Sequence, residues 1–268
     1  MNGWTAVTSL WWREIIRFVR QKSRLIGAFA QPLVFWLLLG GGMSASFVPA
    51  QGSGGRTYLE YFYPGVIVMV LLFTAIFATI STVEDRRSGF LQGVLVAPVS
   101  RGQIVLGQAL GATTIAVLQG ALFLVLGPFA GIRLGLASVV ASLGVMSLVA
   151  FALTTLGLVI AWRMDTTQGF HAIMNLILMP LWFLSGAVFP AEGIPGWLGW
   201  IVRLNPLTYG MAAIRRTLYL SDPAAVEALP SILPSLAVTA AFALLAWTAA
   251  TLTAGGRCRL IRLIDKRR

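Results

Sequence analysis

Cysteine occurs once, at Cys258, so the chain can form neither an internal disulfide nor a cysteine-based zinc cluster. In a basic tail, such a thiol reads as a reduced cytoplasmic one. Lysine occurs only as Lys22 and Lys266, and neither follows a glycine. The phosphate-cradling G-x-x-x-x-G-K-[ST] loop is therefore missing, which excludes an ATPase of that class within this chain. Histidine occurs once, at His171, so no histidine-based metal cluster is available. Charge is scarce as well: 11% of residues are Asp, Glu, Lys or Arg, against about 25% in an ordinary soluble domain.

Apolar residues fill the gap. They make up 57% of 268 residues, and the mean hydropathy is +0.83. A soluble fold of this size cannot hide so much apolar surface, so lipid has to be the solvent for most of it. Uncharged runs long enough to cross as helices lie at about 25–47, 61–83, 102–128, 136–161, 168–189 and 231–254. The expected fold is an all-α polytopic membrane protein, a single transmembrane domain over 1–268 with six transmembrane helices. Basic residues ahead of the first run and the small residues Ser44-Ala45-Ser46 are reminiscent of a cleaved signal. The long, tryptophan-rich basic region argues instead for a retained first span.

Region 190–216 does not fit a span. Its apolar pieces are about ten residues each and are cut by Pro195 and Pro206, which suits re-entrant or interfacial helices with Trp197 and Trp200 at headgroup level. Residues 4–24 read as an amphipathic interfacial helix: Trp4, Val7, Trp11, Ile15 and Phe18 recur on one face, and Arg13, Arg17, Arg20 and Arg24 on another.

The loop Glu84-Asp85-Arg86-Arg87-Ser88-Gly89 leads into a short helix at 89–97, stopped by Pro98. Phe90, Leu91, Val94 and Leu95 form one apolar face on it, worth at most roughly 6–12 kcal/mol if buried. The face must pack on something, either the underside of the bundle or a cytosolic partner.

With six spans, 15 of the 20 basic residues fall on the side that holds both termini, and five on the other. The acids split five to four, so the net charges are +10 and +1. The positive-inside rule then places both termini in the cytoplasm. This charge faces lipid headgroups and cytosolic partners, and with no basic-and-aromatic binding module it excludes nucleic acid.

No Asp, Glu, Lys or Arg falls in a span core, which disfavours a self-powered, ion-coupled carrier. Gly107 and Gly111, four apart, suit close helix packing. An intramembrane hydrolase pairing Ser185 with His171 is a further reading, against a merely packed histidine.

Three stretches carry a resemblance that extends over nearly the whole chain. The first is the amphipathic leader running into Gln31-Pro32-Leu33. The second is Glu84 through Gly89, closing in Ala97-Pro98-Val99-Ser100-Arg101. The third, and the most specific, is Leu184-Ser185-Gly186, Phe189-Pro190, Ile194-Pro195 and Asn205-Pro206-Leu207-Thr208-Tyr209. Together they resemble the membrane subunit of ABC-2 type exporters, the group that includes daunorubicin-resistance and nodulation-factor export permeases. Phe90-Leu91-Gln92-Gly93 departs from the Thr-Leu-Glu pattern of many relatives.

The resemblance implies a non-catalytic permease in a bacterial inner membrane. This chain would hold no cofactor; ATP and Mg would belong to a cytosolic P-loop ATPase. Two ATPases would join this chain and a second copy of itself in the lipid bilayer. Glu84, Asp85, Arg86, Arg87, Gly89, Phe90, Leu91, Val94, Leu95, Pro98 and Arg101 would form the ATPase-coupling element. Trp11, Arg13, Arg17 and Arg20 would lie on the interfacial helix beside it, and the re-entrant pieces would cap the outer mouth. Phe73, Phe77, Met174, Asn175 and Leu178 would line a substrate path between the second and fifth spans. A lining without charge favours amphipathic or hydrophobic cargo such as a drug or lipid. Polysaccharide or lipid-linked oligosaccharide is the alternative, and a passive channel or scaffold the second alternative.

Overall fold

A computed structural model describes residues 3–43, 57–189 and 195–265, without the side chains of 22–25, 28, 225 and 256–265. The Ser44-Ala45-Ser46 stretch, the end of the first expected span, Pro190 and Ile194, and the side chains of Lys22, Arg24 and Cys258 lie outside the described part. Among the described residues every regular element is helical.

The helices are α1 (Gly3–Arg20), α2 (Lys22–Met43), α3 (Tyr58–Ala78), α4 (Ile80–Arg87), α5 (Phe90–Val96), α6 (Arg101–Leu124), α7 (Leu136–Ala161), α8 (Thr167–Trp182), α9 (Gly196–Leu204), α10 (Pro206–Leu218) and α11 (Ile232–Asp265). Among them, five stretches are long and apolar enough to cross a bilayer: Tyr58–Arg87, Arg101–Leu124, Leu136–Ala161, Thr167–Ala187 and Ile232–Gly255. The sixth expected crossing falls on α2, whose described apolar stretch, Phe29–Met43, is shorter than the roughly 20 residues a span needs.

The centre of the bundle is α3. It is apolar all round, and Phe62, Val66, Ile67, Val70 and Leu71 are all sealed from solvent by α2, α6, α7, α8 and α10. Its sequence expectation was one continuous helix to Val83. Instead the helix breaks at Thr79, where Thr79 Oγ1 donates to the Ile76 carbonyl at 2.6 Å and Ser81 Oγ to Ala78 at 2.9 Å. Hydroxyls that bond back to the preceding turn compete with the helix ladder and bend it. The bend rests on Gly157 of α7, where a Cβ would lie 2.9 Å from Thr79 Oγ1.

Region 190–216, expected to be re-entrant, divides in two. On α9, Trp197 and Trp200 are exposed, as befits an interfacial piece. In contrast, α10 is not interfacial: Met211, Ala212, Ala213, Ile214 and Leu218 are buried against α7, α11 and α3. The end of α8 is broken too. A π turn, Phe183–Ala187, contains Gly186 at φ +78°, a conformation that glycine alone adopts readily.

Candidate functional site

Four elements meet at one end of the bundle, and their junction holds a cluster of ion pairs. Helix α1 lies along α6 over two glycines. A Cβ at Gly107 would sit 2.9 Å from the Leu10 Cβ and the Val7 carbonyl, and one at Gly111 would sit 2.6 Å from the Glu14 Cβ. The close approach is fixed by Trp11 Nε1 donating to Thr114 Oγ1 at 3.0 Å.

The buried face of α1 is Val7, Leu10, Glu14 and Phe18; Trp4 and Trp12 are exposed. This corrects the expected face. The apolar stripe is turned so that an acid, not Trp4, enters the protein, because the helix packs on a glycine-notched neighbour rather than lying only on lipid.

That rotation aims Arg13 and Arg17 at the end of α4. Arg13 grips Asp85 with both terminal nitrogens, at 2.7 and 2.5 Å. Arg17 reaches Asp85 at 2.9 Å and Glu84 at 2.5 Å. Arg13 also lies 3.4 Å from Glu14, and its guanidinium stacks 3.9 Å above the Phe90 ring. Arg20 is exposed beyond the cluster. Burial pushes the Glu14 carboxyl above its ordinary range, against the opposing pull of the Ser81 hydrogen bond and Arg13.

Two further ties complete the corner. Arg86 donates to the Trp162 carbonyl at the end of α7 at 2.7 Å and to Asp165 at 3.2 Å, a cation at a helix C-terminus. Gly89, at φ +78°, reverses the chain between α4 and α5. The Pro98-Val99-Ser100-Arg101 run then ends α5 and starts α6. Ser100 Oγ accepts from the Gln103 amide while the Gln103 side chain accepts from the Ser100 amide, a full capping box. The spacing Ser-x-x-Gln carried that signal in the sequence.

The apolar face of α5 is divided between two neighbours. Leu91 is buried, and Val94 and Leu95 pack beside it on a cluster of Leu10, Ile104, Val105, Leu158 and Trp162. Much of the face expected to seat on a partner therefore rests on the molecule's own underside. Arg87, Ser88, Phe90, Gln92, Gly93, Val96 and Pro98 remain outward. Arg101 sits at the first turn of α6, half-buried.

A second feature is a cleft of about 230 Å³ between α1, α2, α3 and α8, lined by Phe18, Gln31, Pro32, Phe73, Phe77 and His171, among others. Phe73 and Phe77 line it as the expected path requires. Met174 and Leu178 do not: both are sealed in the core. Asn175 is exposed but does not line the cleft. Met174, Asn175 and Leu178 share one stripe of α8 with His171 at spacings of three and four, and the packing of α8 on α3, not helical periodicity, decides which of them is buried. Ser185 and His171 are not brought together either. Fourteen positions of one helix put about 21 Å between them along its axis, and Ser185 is buried, donating to the Trp182 carbonyl at 2.6 Å.

Sequence reasoning missed the burial of Glu14 and Arg215. It also missed that Asn205 bonds to the Leu181 carbonyl of α8 and Thr208 to the Leu184 carbonyl in the π turn after it. Their motif residues were visible, but their partners lie about 24 positions away.

The architecture is that of a polytopic helical membrane protein with a charged corner under its bundle. The family of ABC-2 type transporters matches residues 5–219, and the chain belongs to it. It is 31% identical over 205 residues to the putative transport permease ycf38 of Cyanophora paradoxa, covering 76% of this chain and 70% of that one. It is 30% identical over 216 residues to nodulation protein J of Rhizobium leguminosarum bv. trifolii, covering 80% of each. It is 29% identical over 190 residues to the probable multidrug ABC transporter permease YbhR of Escherichia coli K12, covering 68% of this chain and 50% of that one. The chain is thus a membrane transport component of an ABC transporter, and permeases of this family partner in general with ABC ATPase subunits.

Proposed function

We propose that this permease exports an amphipathic or hydrophobic substrate, driven by ATP hydrolysed in two copies of a separate cytosolic ATPase. A second permease copy completes the transporter, α2 is the sixth crossing, and both termini face the cytoplasm of a bacterial inner membrane. ATP and Mg belong to the partner; this chain supplies the path and the transmission of force.

One observation carries the reading: Arg13 and Arg17 bind α1 to Asp85 and Glu84, so α1, α4 and α5 form one unit with an outward face at Phe90 and Val96. A push on that face is delivered through α4 to α3, which is packed in the centre of the bundle. The three residues of α5 that rest on the bundle, Leu91, Val94 and Leu95, keep the helix seated while the outward residues meet the ATPase.

The cleft beside α1 supports the substrate class. Phe18, Phe73 and Phe77 offer apolar rings, and Gln31 and His171 a small polar rim. A sugar, with a hydroxyl on most carbons, needs many more hydrogen-bond partners than this lining offers.

The test is co-purification of the permease with its P-loop ATPase, followed by transport in proteoliposomes. Phe90→Asp is expected to lose the ATPase or uncouple its hydrolysis from transport. Unchanged co-purification and unchanged transport by Phe90→Asp refute the docking role.

A further inference from the structure

The end of α8 farthest from the charged corner is held by borrowed hydrogen bonds. The π turn and the positive φ of Gly186 interrupt the helix ladder there. Side chains from three other segments take up the carbonyls. Asn205 Nδ2 donates to Leu181 at 2.7 Å, Tyr58 Oη to Val188 at 3.0 Å, and Tyr61 Oη to Gly186 at 3.2 Å. Arg215 of α10 donates through one nitrogen to both Gly186, at 3.0 Å, and the Tyr61 carbonyl, at 3.3 Å. Its guanidinium also lies 4.2 Å over the Tyr61 ring.

Arg215 is unusual in what it lacks. It is 8% exposed, its Nε has no partner, and no carboxylate lies within ion-pair distance among the described residues. A buried cation in an apolar bundle is costly unless paired. Carbonyl dipoles and one aromatic face compensate it only in part, and each can be exchanged for water or for another carbonyl. A fully paired arginine would hold α8 rigidly; this one holds it reversibly. Lysine could replace it only in part, because an ammonium can donate to the two carbonyls but has no plane to stack on the Tyr61 ring.

We propose that Arg215 is a positioning residue for the release step of transport. It locks the broken end of α8 against α3, and its disengagement lets that end move away and open the bundle on the side opposite the ATPase. Gly186 is the pivot, and Tyr58, Tyr61 and Asn205 are the re-formable contacts. The inference rests on the exporter reading above, which supplies the direction of release.

The test uses the permease with its ATPase in proteoliposomes. Cys258→Ser removes the native thiol, and Ser185→Cys places a reporter at a residue that is 2% exposed. An impermeant maleimide then reports opening. In the parent, labelling is expected to be slow without ATP and faster during turnover. Arg215→Met is expected to label at least about tenfold faster without ATP, as loss of a lock shifts the closed–open population. Arg215→Lys and Tyr61→Phe are expected to fall between. Parent-like labelling in all three variants, still accelerated by ATP, overturns the proposal, even if their thermal stability falls. If Arg215→Met does not assemble, the other two variants decide by the same criterion. A parent whose labelling and transport ignore ATP overturns the exporter reading instead, and faster labelling of the variants in that case still supports the lock.

Discussion

Replacing Asp85 with asparagine removes the one acid shared by two arginines. The Asp85 side chain is 4% exposed, whereas Arg13 and Arg17 are 30% and 24% exposed. Breaking a fully buried pair by deleting one partner costs about 3–5 kcal/mol, and breaking an exposed pair costs about 0–1 kcal/mol. With a buried acid and half-wet arginines, Asp85→Asn should cost about 2 kcal/mol, most of it from leaving two guanidinium groups facing each other. Glu84 is the internal control: it is 36% exposed and meets Arg17 alone, so Glu84→Gln should cost about 0.5 kcal/mol.

Unfolding by SDS titration of the permease in mild detergent, followed by tryptophan fluorescence, measures both. Added salt should erase the Glu84 effect and leave most of the Asp85 effect, because burial excludes the screening ions. A double-mutant cycle of Asp85→Asn with Arg13→Gln should return a coupling of about 1 kcal/mol or more. Equal costs for the two acids, or a coupling near zero, would refute the view that α1 and α4 move as one unit.

Three other perturbations follow from single contacts, and a fourth, at an open glycine, is the control for one of them. The folded Glu14 carboxyl holds its proton to higher pH than the unfolded one, so stability falls as pH rises above the ordinary carboxylate range. Glu14→Gln should therefore flatten the stability–pH profile and raise the unfolding midpoint at about pH 8 while leaving it unchanged near pH 4. Gly65→Ala should cost about 1–3 kcal/mol, because its Cβ would lie 2.5 Å from the Ala187 carbonyl oxygen and the π turn would have to shift. The same change at Gly144, where nothing lies within 4 Å, should be neutral or stabilise by up to about 1 kcal/mol in the same titration. Ser100→Ala opens the capping box and should cost about 1 kcal/mol, visible as faster hydrogen exchange across the α5–α6 junction.

What the sequence determined by itself was set by local rules. Runs of uncharged apolar residues of bilayer length fall on α6, α7 and the first two thirds of α11, because a helix in lipid must satisfy its own backbone and cannot carry charge. Pro98 marked the end of α5 by the same local logic. Only the tertiary structure decided which face of each helix met which neighbour. The turning of α1 onto Gly107 and Gly111 buried Glu14 and brought Arg13 within reach of Asp85, a contact across 72 positions. The burial of α10 made Arg215, which sequence placed on an outer loop, the interior cation at the end of α8. Helical periodicity tells which residues share a face, but the rotation of that face toward protein or lipid is chosen by packing between helices far apart in the chain.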